Sequence, residues 1–319
     1  MTAVVSVIGE ALIDLLPSEP SGEYRARVGG SPFNVAIGLA RLGNRTALLA
    51  RMGDDDFGRM LRAAAEREGI DLSAAPQAAE RTTVAVASVD ADGGVTYDFH
   101  LEGTADWQWT DAELGALRPD TELLHFGSIA SWTAPGSGRI DDLIREVRAA
   151  GGVLISYDPN VRPAVIGPRG RAVELIEQGV RCAHVVKASR EDAEWLYPDR
   201  GVDDVGTRWS ELGPALVVVT DGPHGATAYR RGAAPLLRPG RPVVVVDTIG
   251  AGDAFTSGLL TGLARHGLHV GNRLAEVSDA TLADVLDEAV LVSAMTCERE
   301  GADPPRLEEL ELRVAAQAR

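Results

Sequence analysis

Cysteine is scarce in this sequence, which has two cysteines among 319 residues. Cys182 and Cys297 lie far apart, and neither belongs to a CxxC motif or to a Cys/His cluster. A zinc site and a disulfide framework are therefore not indicated. Because free cysteines are typical of reducing compartments, we expect a cytoplasmic protein.

Long apolar runs and a basic leader are also missing. No run approaches the ~20 apolar residues that a helix needs to cross a bilayer. Residues 1–16 are apolar in patches, but they carry Glu10 and Asp14 and no basic residue, which argues against a secretory signal. We therefore expect no membrane partner.

Positive charge is in deficit, and lysine is almost absent. The chain has 31 Lys and Arg against 47 Asp and Glu, a net charge of −16. Because an acidic surface repels phosphodiester backbones, we expect no nucleic-acid partner. Lys187 is the single lysine, so arginine fills the ordinary basic positions and Lys187 is a candidate for a special role.

What the sequence does contain is an alternation of apolar runs and helical patterns. Non-alternating runs, typical of strands buried on both faces, occur at residues 4–8, 47–50, 123–126, 153–157, 184–187, 215–219 and 243–246. Helical periodicity occurs at residues 32–42, 59–68, 140–149, 172–180, 254–264 and 282–297. This order predicts a single α/β domain over residues 1–319, a three-layer α/β/α sandwich around a mostly parallel sheet. Ligands should then collect at the carboxyl ends of the strands.

Two stretches interrupt the alternation, at residues 11–28 and about 82–108. The second predicts a hairpin with strands at residues 82–89 and 95–101, joined through residues 90–94. Both stretches would form a small β lid inserted into the sandwich. Exposed lid strands offer edges for pairing, so a homodimer through the lid is expected.

The strongest local signal is the segment DTIGAGD at residues 247–253, which precedes a predicted helix. Its small residues leave backbone N–H groups uncovered at the helix N-terminus, a natural anion site. Asp253 lies within this site. An aspartate there could simply cap the helix, but open amides beside it suit a general base next to a transferring phosphoryl group.

This segment resembles the signature of the ribokinase-like (PfkB) carbohydrate kinases, and GGSPFN at residues 29–34 resembles a second hallmark of that family. The two motifs stand in the family's order, and the resemblance covers essentially the whole chain. It implies a ribokinase-like fold and transfer of a phosphoryl group from ATP to a sugar hydroxyl. By the same resemblance Asp253 is the general base, and the amides of Gly250, Ala251 and Gly252 hold the γ-phosphoryl group.

The resemblance also implies a sugar side of the site. DPNVRP at residues 158–163 is similar to a stretch of the fructokinase branch, so Arg162 would grip an oxyanion. Tyr97 and Phe99 of the lid would cover the sugar's apolar face, with Trp107 and Trp109 nearby. The expected substrate-binding residues are Asp14, Gly29, Gly30, Asn34, Phe99 and Arg162. Open alternatives are a turn at Gly29 and Gly30, a helix cap at Ser31, a surface turn at residues 158–163, and aromatic side chains that belong to the core.

On the nucleotide side, the resemblance implies ATP contacts from Lys187, Ser189, Thr220, Gly222 and Gly225. It further implies Mg²⁺ held through water by Asp192, and allows K⁺ at the carbonyls of Asp247 and Ile249. Residues 294–297 and 301–305 would form the adenine wall, with Cys297 as packing. Alternatives here are an N-cap at Ser189 and a β-turn at residues 220–225.

Three classes of function compete. The motifs at residues 29–34 and 158–163 favour a fructokinase, with 2-keto-3-deoxygluconate kinase and ribokinase open within the same fold. A nucleotide-linked dehydrogenase is disfavoured because the turn at residues 9–11 lacks GxGxxG. A non-catalytic sugar or nucleotide sensor is the third reading, since a fold alone does not prove turnover.

Overall fold

The computed structural model describes residues 3–18, 22–89, 95–115 and 117–317. The strands are β1 Val4–Ile8, β2 Leu12–Ser18, β3 Glu23–Gly29, β4 Arg45–Leu49, β5 Met52–Gly53, β6 Gln77–Ala78, β7 Val84–Val89, β8 Val95–His100, β9 Leu123–Gly127, β10 Leu154–Asp158, β11 Val185–Ser189, β12 Leu216–Thr220, β13 Ala226–Tyr229 and β14 Leu236–Arg238. The helices are α1 Ser31–Arg41, α2 Asp56–Arg67, α3 Ser137–Ala150, α4 Pro163–Ile166, α5 Arg169–Cys182, α6 Arg190–Leu196, α7 Val202–Leu212, α8 Ala251–Arg265, α9 Asp279–Cys297 and α10 Leu307–Gln317. Within those ranges no helix is both long and apolar enough to span a bilayer.

The main sheet has eight strands in the order β14-β13-β12-β11-β10-β9-β1-β4. From β12 to β4 all neighbours pair in parallel, whereas β13 and β14 form an antiparallel edge. Val5 of β1, for example, lies opposite Leu123 of β9 and Thr46 of β4. Because the parallel strands run the same way, their carboxyl ends meet at one edge, where the loops of the site are found.

Helices cover both faces of this sheet, as the non-alternating strands predict. Val7 of β1 packs in one apolar cluster with Phe33 of α1 and Leu259 of α8. Ile8, the next residue, points to the other face and joins a second cluster with Ile176 of α5. Since each such side chain contributes ~1.5–3 kcal/mol on burial, the two clusters hold the helices firmly against the sheet. The three-layer α/β/α fold is confirmed.

A four-stranded lid sheet, in the order β3-β2-β7-β8, is inserted beside the main sheet. Strand β2 pairs in parallel with β7, and β7 and β8 form the predicted hairpin with Val84 opposite His100. The predicted turn at residues 90–94 lies outside the described residues. Trp107 and Trp109, which follow the lid, are buried core residues at 2% and 4% exposure.

The strand predicted at residues 243–246 is wrong. This run of four valines forms no strand, and Val244, Val245 and Val246 are 83%, 59% and 62% exposed. The apolar run predicted a strand, but β13 and β14 already occupy the edge next to β12, so no position in the sheet remains for residues 243–246. The segment instead borders a cavity, which Val243 and Val245 line.

Candidate active site

Two cavities open at the carboxyl ends of the strands and meet at the turn before α8. The first, of about 410 Å³, lies under the lid and is lined by Asp14, Asn34 and Asp253, among others. The second, of about 550 Å³, lies on the side of the valine run. Thr248 and Gly252 line both cavities, so a group bound at this turn contacts ligands on either side.

The turn itself depends on Gly250. Gly250 has a left-handed backbone with φ +74°, and a Cβ at this position would lie 2.5 Å from the Cβ of Ala302. Immediately after it α8 begins, so the positive end of the helix faces the junction of the cavities. The N–H of Ala251 already donates to the carbonyl of Thr248 at 3.2 Å, whereas those of Gly250 and Gly252 donate to no described residue. Of the three predicted amides, two are therefore open to an anion.

A buried ion pair lies directly beneath this turn. Lys187 in the middle of β11 donates to the carboxylate of Asp158, the last residue of β10, at 2.9 Å. A Cβ added to Gly252 would lie 3.0 Å from the Lys187 ammonium, so glycine allows the cation to approach the backbone. Burial pushes the pKa of Lys187 down, but the carboxylates of Asp158, Asp192 and Asp253 together more than offset this effect, and the pKa is raised. The lysine therefore stays charged below the open amides.

Asp253, in the first turn of α8, is 9% exposed and receives two hydrogen bonds from α1. The Ser31 hydroxyl donates to Oδ1 at 2.6 Å, and the Asn34 amide donates to Oδ2 at 2.9 Å. Burial raises the pKa of Asp253 to about 6, although these bonds act in the opposite direction. The helix cap expected as an alternative for Ser31 is wrong, because the N-cap of α1 is Gly30 and no side chain caps this helix.

Asp14 lies in lid strand β2, close to the two glycines that end β3 and precede α1. A Cβ on Gly29 would lie 2.0 Å from the Asp14 carboxylate, and one on Gly30 would lie 2.7 Å from the Glu10 carbonyl. The glycine pair is thus required by close packing around the cavity. Burial raises the pKa of Asp14 to about 7, with Arg162 lowering it and Asp253 raising it. Two carboxyl groups of near-neutral pKa therefore face the first cavity.

The opposite wall contains two hydrogen bonds, part of which sequence reasoning missed. The Asn160 amide donates to the Ser128 hydroxyl at 3.2 Å, and Glu10 accepts from the N–H of Ala130 at 3.0 Å. Ser128 and Asn160 have positive φ angles of 55° and 39°, which is uncommon outside glycine and typical of functional sites. Glu10 lies two residues after β1 and Ser128 directly follows β9, and that position was the available signal.

The remaining predicted sugar-side residues also line the first cavity. Arg162 donates to the carbonyls of Asn160 and Val161, at 3.4 Å and 3.2 Å, and lies near Asp14. Tyr97 and Phe99 of β8 are half-buried, with ring centroids 6.0 Å apart. Because both rings belong to the lid, they form an apolar wall opposite the polar groups.

The predicted nucleotide-side residues divide into two groups. Thr220, Gly222 and Gly225 line the second cavity, together with the apolar side chains of Val245, Phe255, Val290, Ala294 and Cys297. Lys187, Ser189 and Asp192 line neither cavity. Residues 222–224 form a short 3₁₀ turn after β12, in keeping with the turn expected there.

Ser189 and Asp192 form a capping box at the start of α6. Ser189 accepts from the Asp192 N–H at 3.0 Å, and the Asp192 carboxylate accepts from Ser189 at 2.9 Å and from the Val161 N–H at 2.8 Å. The N-cap alternative for Ser189 is confirmed. Among the described residues there is no group of three or more His, Cys, Asp or Glu side chains that could hold a metal.

The carboxylate of Asp247 ties the turn before α8 to the C-terminal segment. It accepts from the N–H of Ile249 at 3.0 Å and from that of Gly301 at 2.8 Å. The main-chain carbonyls of Asp247 and Ile249 accept no hydrogen bond from the described residues. Two oxygens with free lone pairs at a loop that lines the first cavity suit a hard cation.

Comparison with known proteins agrees with this geometry. The family model described as "pfkB family carbohydrate kinase" matches residues 2–309. A protein named fructokinase from Klebsiella pneumoniae is 35% identical over 288 residues, which cover 89% of this chain and 91% of the relative. 

Two solved structures extend the likeness to the fold. A fructokinase from Xylella fastidiosa with bound ATP has a TM-score of 0.88 at 26% identity, with full coverage of both chains at 100%. A fructokinase double mutant from Vibrio cholerae O395, in a form bound to fructose, ADP and potassium ion, has a TM-score of 0.85 at 27% identity and covers 98% of each chain.

Proposed function

Because the chain belongs to the pfkB family of carbohydrate kinases, we propose that it transfers the γ-phosphoryl group of ATP to fructose and forms fructose 6-phosphate. The observation that carries this proposal is the position of Asp253, at the turn where the two cavities meet. The choice of fructose rests on the names of the relatives. A carboxylate in the first cavity, next to a turn that borders both cavities and carries open amides, suits phosphoryl transfer.

In the proposed reaction, Asp253 accepts the proton of a sugar hydroxyl while that oxygen attacks the γ-phosphorus. The new O–P bond forms as the bond to the β-phosphate oxygen breaks, and ADP leaves. With a pKa of about 6, Asp253 is largely ionised at pH 7 and above. The N–H groups of Gly250 and Gly252, and the Lys187 charge beneath them, stabilise the charge on the transferred group.

On the sugar side, acceptor and donor groups surround the first cavity. We assign Asp14 and Asn34 to sugar hydroxyls, because both line the cavity on the side of Asp253. Asn160 and Arg162 supply donors on the facing wall, and Phe99 with Tyr97 covers the apolar face of the ring. Closure of these lid residues over the sugar would exclude water, so that ATP is not hydrolysed.

On the nucleotide side, Thr220, Gly222 and Gly225 are assigned to the phosphates and ribose of ATP. The adenine ring is assigned to the apolar end of the second cavity, near Val245, Ala294 and Cys297. Ser189 lies outside the cavity, so its assigned role is to cap α6. Cys297 is a packing residue here, since burial raises the pKa of its thiol.

Among the described residues, the position predicted for K⁺, at the carbonyls of Asp247 and Ile249, has free oxygens, whereas the position predicted for Mg²⁺, at Asp192, does not. Both oxygens of Asp192 already accept backbone N–H groups, so we propose that Mg²⁺ is held mainly by the ATP phosphates and water, with Asp192 acting only through water. Magnesium would supply charge neutralisation on the phosphates. The unbonded carbonyls of Asp247 and Ile249 fit K⁺, which would fix the turn that carries the open amides.

We also propose a cytoplasmic homodimer. The lid sheet ends in strands β3 and β8, and Tyr24 on β3 is 51% exposed, so the lid presents pairing edges and an apolar side chain to a second copy. The cytoplasmic location is supported by the two unpaired cysteines, both of which fall in described segments.

The test is a coupled assay for ADP release with fructose, ribose, 2-keto-3-deoxygluconate and tagatose at equal concentration. We expect the highest kcat/KM with fructose, and ADP release by the Asp253→Asn variant that is ~10²–10⁴ slower than by wild type. A higher kcat/KM for another sugar would reassign the substrate within the family. ATP binding without turnover of any sugar would favour the non-catalytic sensor.

A further inference from the structure

The N-termini of two helices meet at Asp253. Asp253 lies in the first turn of α8, and Ser31 is the first residue of α1. The Ser31 hydroxyl donates to Asp253 Oδ1 at 2.6 Å, which is short for a hydrogen bond between two oxygens. The sequence places these residues more than two hundred positions apart, so no local pattern could have revealed the contact.

The Ser31 hydroxyl has no role in its own helix. Gly30 is the N-cap of α1, and no side chain accepts a hydrogen bond from the first-turn amides. Ser31 is 9% exposed, and its one side-chain hydrogen bond to a described residue is the bond to Asp253. A buried hydroxyl group is costly to keep without a partner, so this bond is the evident reason for serine at the position.

The bond acts on both the orientation and the charge of Asp253. Ser31 and Asn34, both of α1, each donate to one carboxylate oxygen, so each oxygen of this cavity-lining side chain keeps a further lone pair. The charged groups that face Asp253 are Lys187 from β11, Asp158 from β10 and Asp14 from the lid. Burial favours the protonated acid, and the Ser31 bond is the largest of the effects that favour the carboxylate.

We propose that Ser31 is a positioning residue, which holds Asp253 in the orientation and charge state in which it accepts a proton from the substrate. This inference rests on the proposed function, since it assigns Asp253 the role of base. Asn34 is the less suitable group for this task, because a sugar hydroxyl competes for its amide. Ser31 also lines this cavity, but its hydroxyl has a single proton, and that proton is donated to Asp253.

The test compares Ser31→Ala, Ser31→Thr and the control Ser137→Ala. Ser137 is also the first residue of a helix, α3, but makes no side-chain hydrogen bond to a described residue. For Ser31→Ala we expect kcat at pH 6.5 to fall about tenfold, as for loss of one hydrogen bond to a charged group, and KM for ATP to stay within about twofold. The acid limb of the kcat profile should move to higher pH, so that the deficit shrinks by pH 9.

Ser31→Thr keeps the hydroxyl, so most of the wild-type kcat and the wild-type position of the acid limb should return. Ser137→Ala should have the wild-type kcat at every pH. An unmoved acid limb in Ser31→Ala, or a deficit of the same size at every pH, would overturn the proposal. Should Ser31→Ala fail to fold, Ser31→Cys takes its place, and its weaker donor predicts an intermediate shift.

A second readout does not depend on turnover. In protein with ¹³C-labelled aspartate and no substrate, the carboxyl signal that disappears in Asp253→Asn is titrated in wild type and in Ser31→Ala. We expect a higher midpoint in Ser31→Ala, and an equal midpoint would contradict the proposal. If wild type phosphorylates no sugar, the proposed function fails while this titration still decides the role of Ser31.

Discussion

Lys187 donates a hydrogen bond to Asp158 at 2.9 Å, and the two side chains form an ion pair that is 5% and 1% exposed. The pair joins the last residue of β10 to the middle residue of the neighbouring strand β11, directly beneath Gly252. Lys187 is also the single lysine of the chain. The one position at which arginine does not serve as the basic residue is therefore a buried cation below the proposed phosphate site.

Removal of Lys187 should destabilise the fold, because it leaves the buried Asp158 carboxylate without a counter-charge, with only the Asn160 N–H and the Thr256 hydroxyl as donors among the described residues. We expect Lys187→Met to lower the free energy of unfolding by ~3–5 kcal/mol, measured by urea denaturation. The double variant Lys187→Met/Asp158→Asn removes both charges and should recover much of this loss. A double variant that is less stable than Lys187→Met alone would show that the pair is not the source of the effect.

Two acidic limbs should appear in kcat/KM for fructose, because two carboxyl groups of the free enzyme have raised pKa values. Asp14 titrates at about 7 and Asp253 at about 6, and both roles require the carboxylate. As the pH falls, each protonation therefore lowers kcat/KM, and the slope of its logarithm approaches two below pH 6.

The matched variant for this profile is Asp14→Asn, which should retain the limb near pH 6 and lose the one near 7. Initial rates between pH 5 and 9 provide the measurement. A profile of slope one in the wild type, unchanged by Asp14→Asn, would argue that Asp14 plays no part in sugar binding.

Gly29→Ala should weaken sugar binding without affecting ATP. The new Cβ would lie 2.0 Å from the Asp14 carboxylate, so Asp14 must move away from its position in the cavity. We expect KM for fructose to rise about tenfold, the equivalent of ~1.4 kcal/mol, with KM for ATP unchanged. Gly138→Ala in α3 is the control, since nothing lies within 4 Å of its added Cβ. Equal KM values for fructose in the two variants would contradict the placement of Asp14.

Ala294→Phe should have the converse effect. Ala294 lines the second cavity, and a phenyl ring there fills the space assigned to adenine. We expect KM for ATP to rise about tenfold and KM for fructose to stay unchanged, as steady-state rates with each substrate varied will test. Val244→Phe serves as the control, because Val244 is 83% exposed and lies outside the cavity lining. An unchanged KM for ATP in Ala294→Phe would show that adenine does not bind beside Ala294.

The sequence alone predicted much of the fold, because buried parallel strands have a distinctive pattern. Val4–Ile8 and Leu154–Asp158 are apolar on both faces, and the structure buries them completely. The same pattern failed at residues 243–246, since an apolar run shows that a segment avoids water but not what covers it. Here the sheet edge is taken by β13 and β14.

Site residues were predictable where a local motif determines the geometry. Gly250 and Asp253 follow from one turn and the helix start behind it. Glu10, Ser128 and the hydroxyl of Ser31 could not be identified in this way, because their contacts join loops that are distant in the sequence. Ser128 also has a positive φ of 55°, and because serine seldom adopts such a backbone, its presence in the sequence does not predict it.

The most direct test of the account concerns Asp253 itself. Single-turnover formation of fructose 6-phosphate is measured in wild type and in Asp253→Asn, alongside ATP binding by fluorescence titration. The account predicts a rate ~10²–10⁴ lower in Asp253→Asn, the usual cost of losing a general base, with nearly unchanged affinity for ATP. An Asp253→Asn variant that retains most of the wild-type rate would contradict it.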